Sequence, residues 1–346
     1  MSNHVRAISL ARPLDPDRPA FSVALERARE GEVTLESALA LLEYSNRAEP
    51  ARELFATAAR IRDERVGRTL ALTAHLHMVT RCEISPSCNY CSLASTIPAV
   101  QKERDRLSKR SLIQGVRSAV DKGVRSIVLV GGTDLGGSDA GVRRAVETVR
   151  EVTDLPLGVD VGPSLSPATV EWLKHQDART IYCSLETTNA DVFRRAKPGD
   201  DLSSRIAFNA MLERHHMTLG NVVMNGLGTG EDLLSSVLFL RRFRRLAYLS
   251  ISTFHPVPGT PWANRRPASI PRSLRVLAIA RLVFPAVQLG LAEVEVEDPG
   301  SAARVTAQLR AGGGNSFAGL LVYRNRTVDH LEAIRKEARA EGFFAS

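Results

Sequence analysis

The 346 residues predict an α/β fold: a (β/α)8 TIM-type barrel with an N-terminal helical extension. From about residue 70 onward, short β-rich runs alternate with helical stretches, and the alternation repeats eight times. The helical stretches carry their apolar residues on one stripe, as amphipathic helices packed on a sheet do. Strand–helix alternation calls for parallel pairing with right-handed crossovers, and eight such units close a barrel. A doubly wound open sheet is the other arrangement compatible with the same alternation.

Residues 1–20, with Pro13, Pro16 and Pro19, read as irregular, and residues 1–66 as the helical extension preceding a barrel over 67–346. Thr34 is placed to cap a helix whose apolar positions are Leu35, Ala38, Leu39 and Leu42. Pro50 opens a second, with Leu54, Phe55, Ala58 and Ile61 on one stripe. The expected strands are 71–80, 124–130, 156–161, 179–186, 219–225, 247–254, 286–292 and 316–322. Between them run helical patterns at Leu112, Ile113, Val116, Ala119 and Val120, stopped by Gly123, at Val142, Ala145, Val146 and Val149, and at Leu233, Leu234, Val237 and Leu240.

No apolar run approaches the roughly 18 residues of a membrane span, and the N-terminus lacks the apolar centre of a signal peptide, so a cytoplasmic protein without membrane contact is expected. The net charge of +8 comes mostly from arginine, without dense basic runs interleaved with aromatics, and nucleic-acid binding is not expected. Four cysteines, three of them crowded together, do not form a disulfide framework in a chain of this length.

Cys82, Cys88 and Cys91 stand as Cys-x5-Cys-x2-Cys directly after the first strand, and the fourth cysteine, Cys183, is distant. A [4Fe–4S] cube ordinarily takes four thiolates; three leave one iron open to a small molecule. Pro86 and the adjacent serines suit a wrapped loop. A zinc site from these cysteines plus a histidine or Cys183 is the competing reading, and only one Cys-x2-Cys pair is present to support it. In a barrel, a loop after the first strand lies at the C-terminal face, where sites collect.

A barrel whose first strand leads into clustered cysteines, with Asn89-Tyr90 before the last, resembles the radical S-adenosylmethionine (SAM) superfamily, in the group of biotin synthase and HydE. The resemblance implies that Cys82, Cys88 and Cys91 bind a [4Fe–4S] cluster whose open iron chelates SAM. Reduction then gives methionine and a 5′-deoxyadenosyl radical that abstracts hydrogen from a small substrate. It also implies an electron donor of flavodoxin or ferredoxin type. The usual spacing is Cys-x3-Cys-x2-Cys; the longer first gap resembles the HmdB group, linked to the iron-guanylylpyridinol cofactor of [Fe]-hydrogenase. HydE-like or methylornithine-synthase-like carbon-skeleton chemistry is the enzymatic alternative, and a zinc-stabilised scaffold the non-enzymatic one.

The same resemblance implies the SAM contacts. Gly131-Gly132-Thr133 ends the second strand like the superfamily's amino-group turn, with Thr133 in place of its glutamate; a simple tight turn is the alternative. Ser184 and Glu186 are two apart on the fourth strand and share a face, as residues holding the SAM ribose and amino group would; parity turns Cys183 outward. Arg205, in the first turn of a helix beginning near Leu202, resembles the arginine that pairs with the SAM carboxylate, unless it is a solvated surface residue. Gly226, in the turn after the fifth strand, and Tyr90 stand on the adenine side. His75 and His77 share one face of the first strand and are expected to face the lumen, as substrate or structural groups; His255, before a Pro-Gly-Thr-Pro turn, is a third substrate-facing candidate. Sulfur insertion is disfavoured because the cysteines for a second cluster are missing.

Overall fold

In a computed structural model, residues 18–79, 82–94, 96–97, 107–134, 137–292, 301–323 and 326–346 are described. Three helices come first: α1 (Arg18–Arg29), α2 (Leu35–Tyr44) and α3 (Ala48–Arg65). Thr34 caps α2 in a reciprocal capping box with Ser37. Helix α1 corrects the expectation of only two helices. Its buried residues Phe21, Ala24, Leu25 and Ala28 follow helical spacing, but charged neighbours dilute the pattern. Helix α3 begins two residues before Pro50, which sits in the first turn, where its missing N–H costs nothing. The irregular stretch expected before residue 18 lies outside the described residues.

The strands are β1 (Thr69–Val79), β2 (Ser126–Gly131), β3 (Leu157–Asp160), β4 (Thr180–Tyr182), β5 (Thr218–Asn225), β6 (Leu246–Thr253), β7 (Gln288–Ala292) and β8 (Ser316–Tyr323). They are joined through α4 (Lys109–Asp121), α5 (Ser138–Arg150), α6 (Pro167–His175), the pair α7 (Ala190–Ala196) and α8 (Leu202–Arg214), α9 (Gly230–Phe239), α10 (Ile270–Val283) and α11 (Ser301–Arg310). Strands β1 to β7 pair in sequence, all parallel, and β8 pairs with β1, curling the sheet into a barrel. After β8 come β9 (Arg326–Asp329), antiparallel to it, α12 (Leu331–Ala340) and a short β10 (Phe344–Ala345) beside the start of β1.

Between β7 and β8 there is no strand ladder among the described residues. Side chains stitch this seam. Asn315 N donates to Leu289 O at 2.8 Å, and Asn315 Oδ1 accepts from Leu289 N at 2.9 Å. Gln308 on α11 accepts from Leu291 N and donates to Ser316 O, at 2.9 and 3.2 Å. Arg281 on α10, wholly buried, donates to the carbonyls of Phe284, Pro285, Val287 and Gly313 and to Asn315 Oδ1. Burial, with repulsion from Arg62, lowers its guanidinium to about 9, well below the usual arginine value.

Strand parity sets the two faces. Leu72, Ile127, Val159, Ile181, Leu219 and Leu249 point to the helices and merge into one core. Phe21, Leu41 and Leu54 of the first three helices belong to that same core. The opposite face forms the lumen. Strand β4 ends at Tyr182 rather than at 186, because the Asn221 side chain takes the next ladder groups, donating to Cys183 O and accepting from Leu185 N; Glu186, at φ 64°, returns to the sheet only as an isolated bridge to Val223.

Replacing Arg281 by Met would leave buried carbonyls of the segments leading into both seam strands without this donor. A stability loss of about 3 kcal/mol or more is expected in chemical denaturation, the scale for breaking a buried charged network.

Candidate active site

Cys82, Cys88 and Cys91 lie on the loop after β1, at the C-terminal face of the barrel. Cys88 is buried and the other two half-buried. The loop is pinned from several sides. Glu83 N donates to Thr133 O at 2.8 Å, and Cys82 Sγ lies 3.8 Å from the same oxygen, in the turn after β2. Asn89 donates through N to Ala196 O at 2.8 Å and through Nδ2 to Arg195 O at 2.7 Å, at the end of α7. Trp262 N donates to Asn89 O at 2.9 Å. A Cβ on Gly199 would collide with the Ser85–Pro86 backbone, so only glycine lets the segment after α7 lie flat on the cysteine loop.

Beside the loop runs a buried chain of charges. Lys197 Nζ reaches Glu186 at 3.1 Å and Asp200 at 3.2 Å. Asp200 takes Arg205 in a fork, at 2.8 Å from Nε and 2.6 Å from Nη2. Arg205 Nη1 donates to Ser184 O at 2.9 Å. The Tyr90 hydroxyl donates to Glu186. Gly162, with φ 68°, lets the turn after β3 pass against Thr133, and a Cβ there would lie 3.6 Å from Arg205 Nη2. The charged groups thus form a continuous chain along the rim, from Arg205 through Asp200, Lys197 and Glu186 to Tyr90, with the turns of Thr133 and Gly162 beside Arg205.

The electrostatics follow from burial and pairing. Burial by itself would raise the Asp200 carboxyl, but Lys197 and Arg205 outweigh it and hold it below its ordinary value. Burial and Arg205 would lower Lys197, but Glu186, Cys88 and Asp200 hold it above its ordinary value. Burial pushes the thiols of Cys88 and Cys91 up, against the opposing pull of Lys197. Thiols in such surroundings give up protons to a cation that binds them.

Among the described residues no three His, Cys, Asp or Glu side chains converge on a single ion. Three thiols on one wrapped loop, with Lys197 and Arg205 acting on Cys91, fit a [4Fe–4S] cluster held by three sulfurs.

The other expected residues fall as follows. Arg205 is 6% exposed, so the surface reading is wrong. Ser184 and Glu186 keep their shared face, and Cys183 turns outward, its sulfur 4.0 Å from Arg205 O on α8. Gly131 ends β2 and Gly132 is buried behind it. Gly226, at φ 107°, packs against Phe254 and Ala268: its missing side chain already serves protein packing. Tyr90 is buried with Cys88, Met224, Leu227 and Phe254 in a second apolar cluster, and its ring lies 6.0 Å from that of Trp262. His75 and His77 share the lumen face; His77 stacks on Tyr323 at 4.2 Å. His255 lies half-buried in the segment after β6. Two members of the buried charge chain, and one acidic residue deeper in the barrel, went unnoticed in the sequence. Lys197 and Asp200 sit in an ordinary-looking Lys-Pro-Gly-Asp stretch without periodicity. Asp160 was detectable as an acidic residue closing an apolar barrel strand.

Residues 76–240 match the family model for the Radical SAM superfamily. An uncharacterized protein of Methanocaldococcus jannaschii is 27% identical over 68% of this chain and 63% of its own length. The [FeFe] hydrogenase maturase subunit HydE of Thermotoga maritima is 26% identical over 67% of this chain and 65% of its own length. These alignments span less than two thirds of the relatives. The crystal structure of methylornithine synthase (PylB) superposes with a TM-score of 0.79 at 19% identity, covering 93% of this chain and 97% of that one. A [4Fe–4S] cluster and SAM are the cofactors of this superfamily.

Serine at Cys82, Cys88 or Cys91 is expected to abolish most iron incorporation on anaerobic reconstitution, whereas Cys183→Ser retains wild-type iron. Gly199→Ala is expected to lower iron content while leaving the thermal unfolding midpoint within a few degrees. Both are read by metal analysis beside a melting curve.

Proposed function

We propose that this chain, a radical SAM superfamily protein, is an enzyme that cleaves SAM at a [4Fe–4S] cluster held by Cys82, Cys88 and Cys91 and turns the radical on a small organic molecule in cofactor assembly. The observation that carries this reading is the shared rim: three thiols and the buried Glu186–Lys197–Asp200–Arg205 chain meet above the lumen of a parallel barrel. When bound, the reduced cluster supplies the electron that splits the sulfonium bond, giving methionine and a 5′-deoxyadenosyl radical.

The residues of the chain bind, orient and exclude water. Arg205 has five N–H donors; Asp200 and the Ser184 carbonyl engage three and fix the plane of the fork, leaving two for the SAM carboxylate. Asp200 is therefore a positioning residue. Glu186 receives the SAM amino group, with the Gly131–Gly132 backbone beside it. Tyr90, Phe254 and Trp262 form an aromatic flank suited to adenine and keep water from the radical.

Within this chemistry, HmdB-like work on the pyridinol precursor of the [Fe]-hydrogenase cofactor is the specific proposal, supported by the Cys-x5-Cys-x2-Cys spacing. A carbon-skeleton reaction of HydE or methylornithine-synthase type is the second reading, supported by the relatives bearing those names. Sulfur insertion has no support, because Cys183 is turned toward α8.

Anaerobically reconstituted protein given SAM and dithionite should yield methionine and 5′-deoxyadenosine. A protein that holds only zinc and makes neither would overturn the proposal. Glu186→Gln and Arg205→Lys should each raise the KM for SAM by about tenfold or more, the scale of one charge-assisted hydrogen bond. Deuterium appearing in 5′-deoxyadenosine from a labelled pyridinol, and not from labelled amino acids, would separate the specific proposal from the second reading.

A further inference from the structure

Below the rim, the lumen has a distinctive lining. Val130, Asp160, Tyr182, Gly220 and Tyr248 are linked by ladder register and so share the inner face. The rings of Tyr182 and Tyr248 meet edge to face at 5.5 Å. Tyr182 lies flat over its neighbours: a Cβ on Gly220 would collide with its ring, and one on Gly158 would come within 2.9 Å of it. A Cβ on Gly290 would lie 3.5 Å from the Tyr248 hydroxyl. Two glycines at inward positions, Gly158 and Gly220, thus make room for the reclining ring of Tyr182, and with Tyr248 meeting it edge to face the chamber has an aromatic floor. Asp160, Tyr182, Tyr248 and His75 lie deep in the barrel, yet each keeps accessible surface, as residues lining an internal chamber do.

Charge decides what such a chamber accepts. Glu186, Lys197, Asp200 and Arg205 are neutral as a set, so Asp160 is the surplus charge. Resting on the function proposed above, we infer that Asp160 and the tyrosine floor bind a small substrate through a positively charged nitrogen, an ammonium or a protonated ring nitrogen, and select against a lone carboxylate. The cation meets the carboxylate of Asp160 and the faces of Tyr182 and Tyr248, an arrangement that strengthens in a desolvated site.

Several groups act on Asp160. Burial raises its carboxyl to about 6, while Arg205 on α8 and Lys197 after α7 pull it down. Tyr182, Tyr248 and Cys183 also feel its charge. Burial lowers His75 to about 4, so it stays neutral near pH 7.

The test uses oxidised, cluster-loaded protein holding SAM, titrated calorimetrically with benzylamine, benzyl alcohol and benzoate. Benzylamine should bind best and benzoate worst. Benzylamine affinity should fall about tenfold between about pH 7.5 and pH 5, as Asp160 takes a proton while the amine stays charged. Asp160→Asn should cost about tenfold at pH 7.5 and flatten the profile. Benzoate binding as tightly as benzylamine, or a wild-type affinity indifferent to pH, would overturn the inference; the wild-type profile decides even if the variant misfolds. Protein that cleaves SAM but prefers benzoate refutes only this inference. Protein that prefers benzylamine but never cleaves SAM refutes only the proposed function.

Discussion

Lys197 occupies the point on which the rim depends. Its ammonium is buried between Glu186, at the end of the fourth strand, and Asp200, before the eighth helix, within electrostatic reach of Cys88. Desolvating these charges costs nearly what their attraction returns, so the network contributes little to net stability. Its effect is positional, because removing any one member strands a buried charge. Asp200 aims Arg205, Glu186 takes the Tyr90 hydroxyl, and the segment carrying both Lys197 and Asp200 is the surface on which the cysteine loop rests.

Most of the barrel was legible because periodicity survives in its elements. Each of the eight strand segments overlaps a real strand, and the Thr34 cap falls where a threonine before an apolar stripe should put it. The first helix was not legible, since its charged residues dilute the stripe. The fourth strand was read too long because a side chain that takes over its ladder, that of Asn221, is invisible to alternation. Parity nevertheless placed Cys183 correctly, since the side chains keep alternating past the last paired residue.

The site was legible where chemistry is local in sequence and hidden where it is not. Three cysteines within ten positions announce themselves. Lys197 and Asp200 become partners only by being buried together, and Tyr182 reclines only because glycines on neighbouring strands leave space. Such pairings are properties of register, which a lone sequence does not display. Gly226 shows a second use of glycine in such a turn: a side chain there would collide with Phe254 and Ala268.

The seam between the seventh and eighth strands divides the molecule's labour. The cysteine loop and the buried charge chain are held mainly by segments that follow the first four strands, with Trp262 reaching in from beyond the sixth; the seventh and eighth strands carry none of them. Held by amide and guanidinium side chains rather than a ladder, this border concentrates the closure of the barrel in Arg281, Gln308 and Asn315, and a side chain at Gly290 would collide with Ser316 O across it.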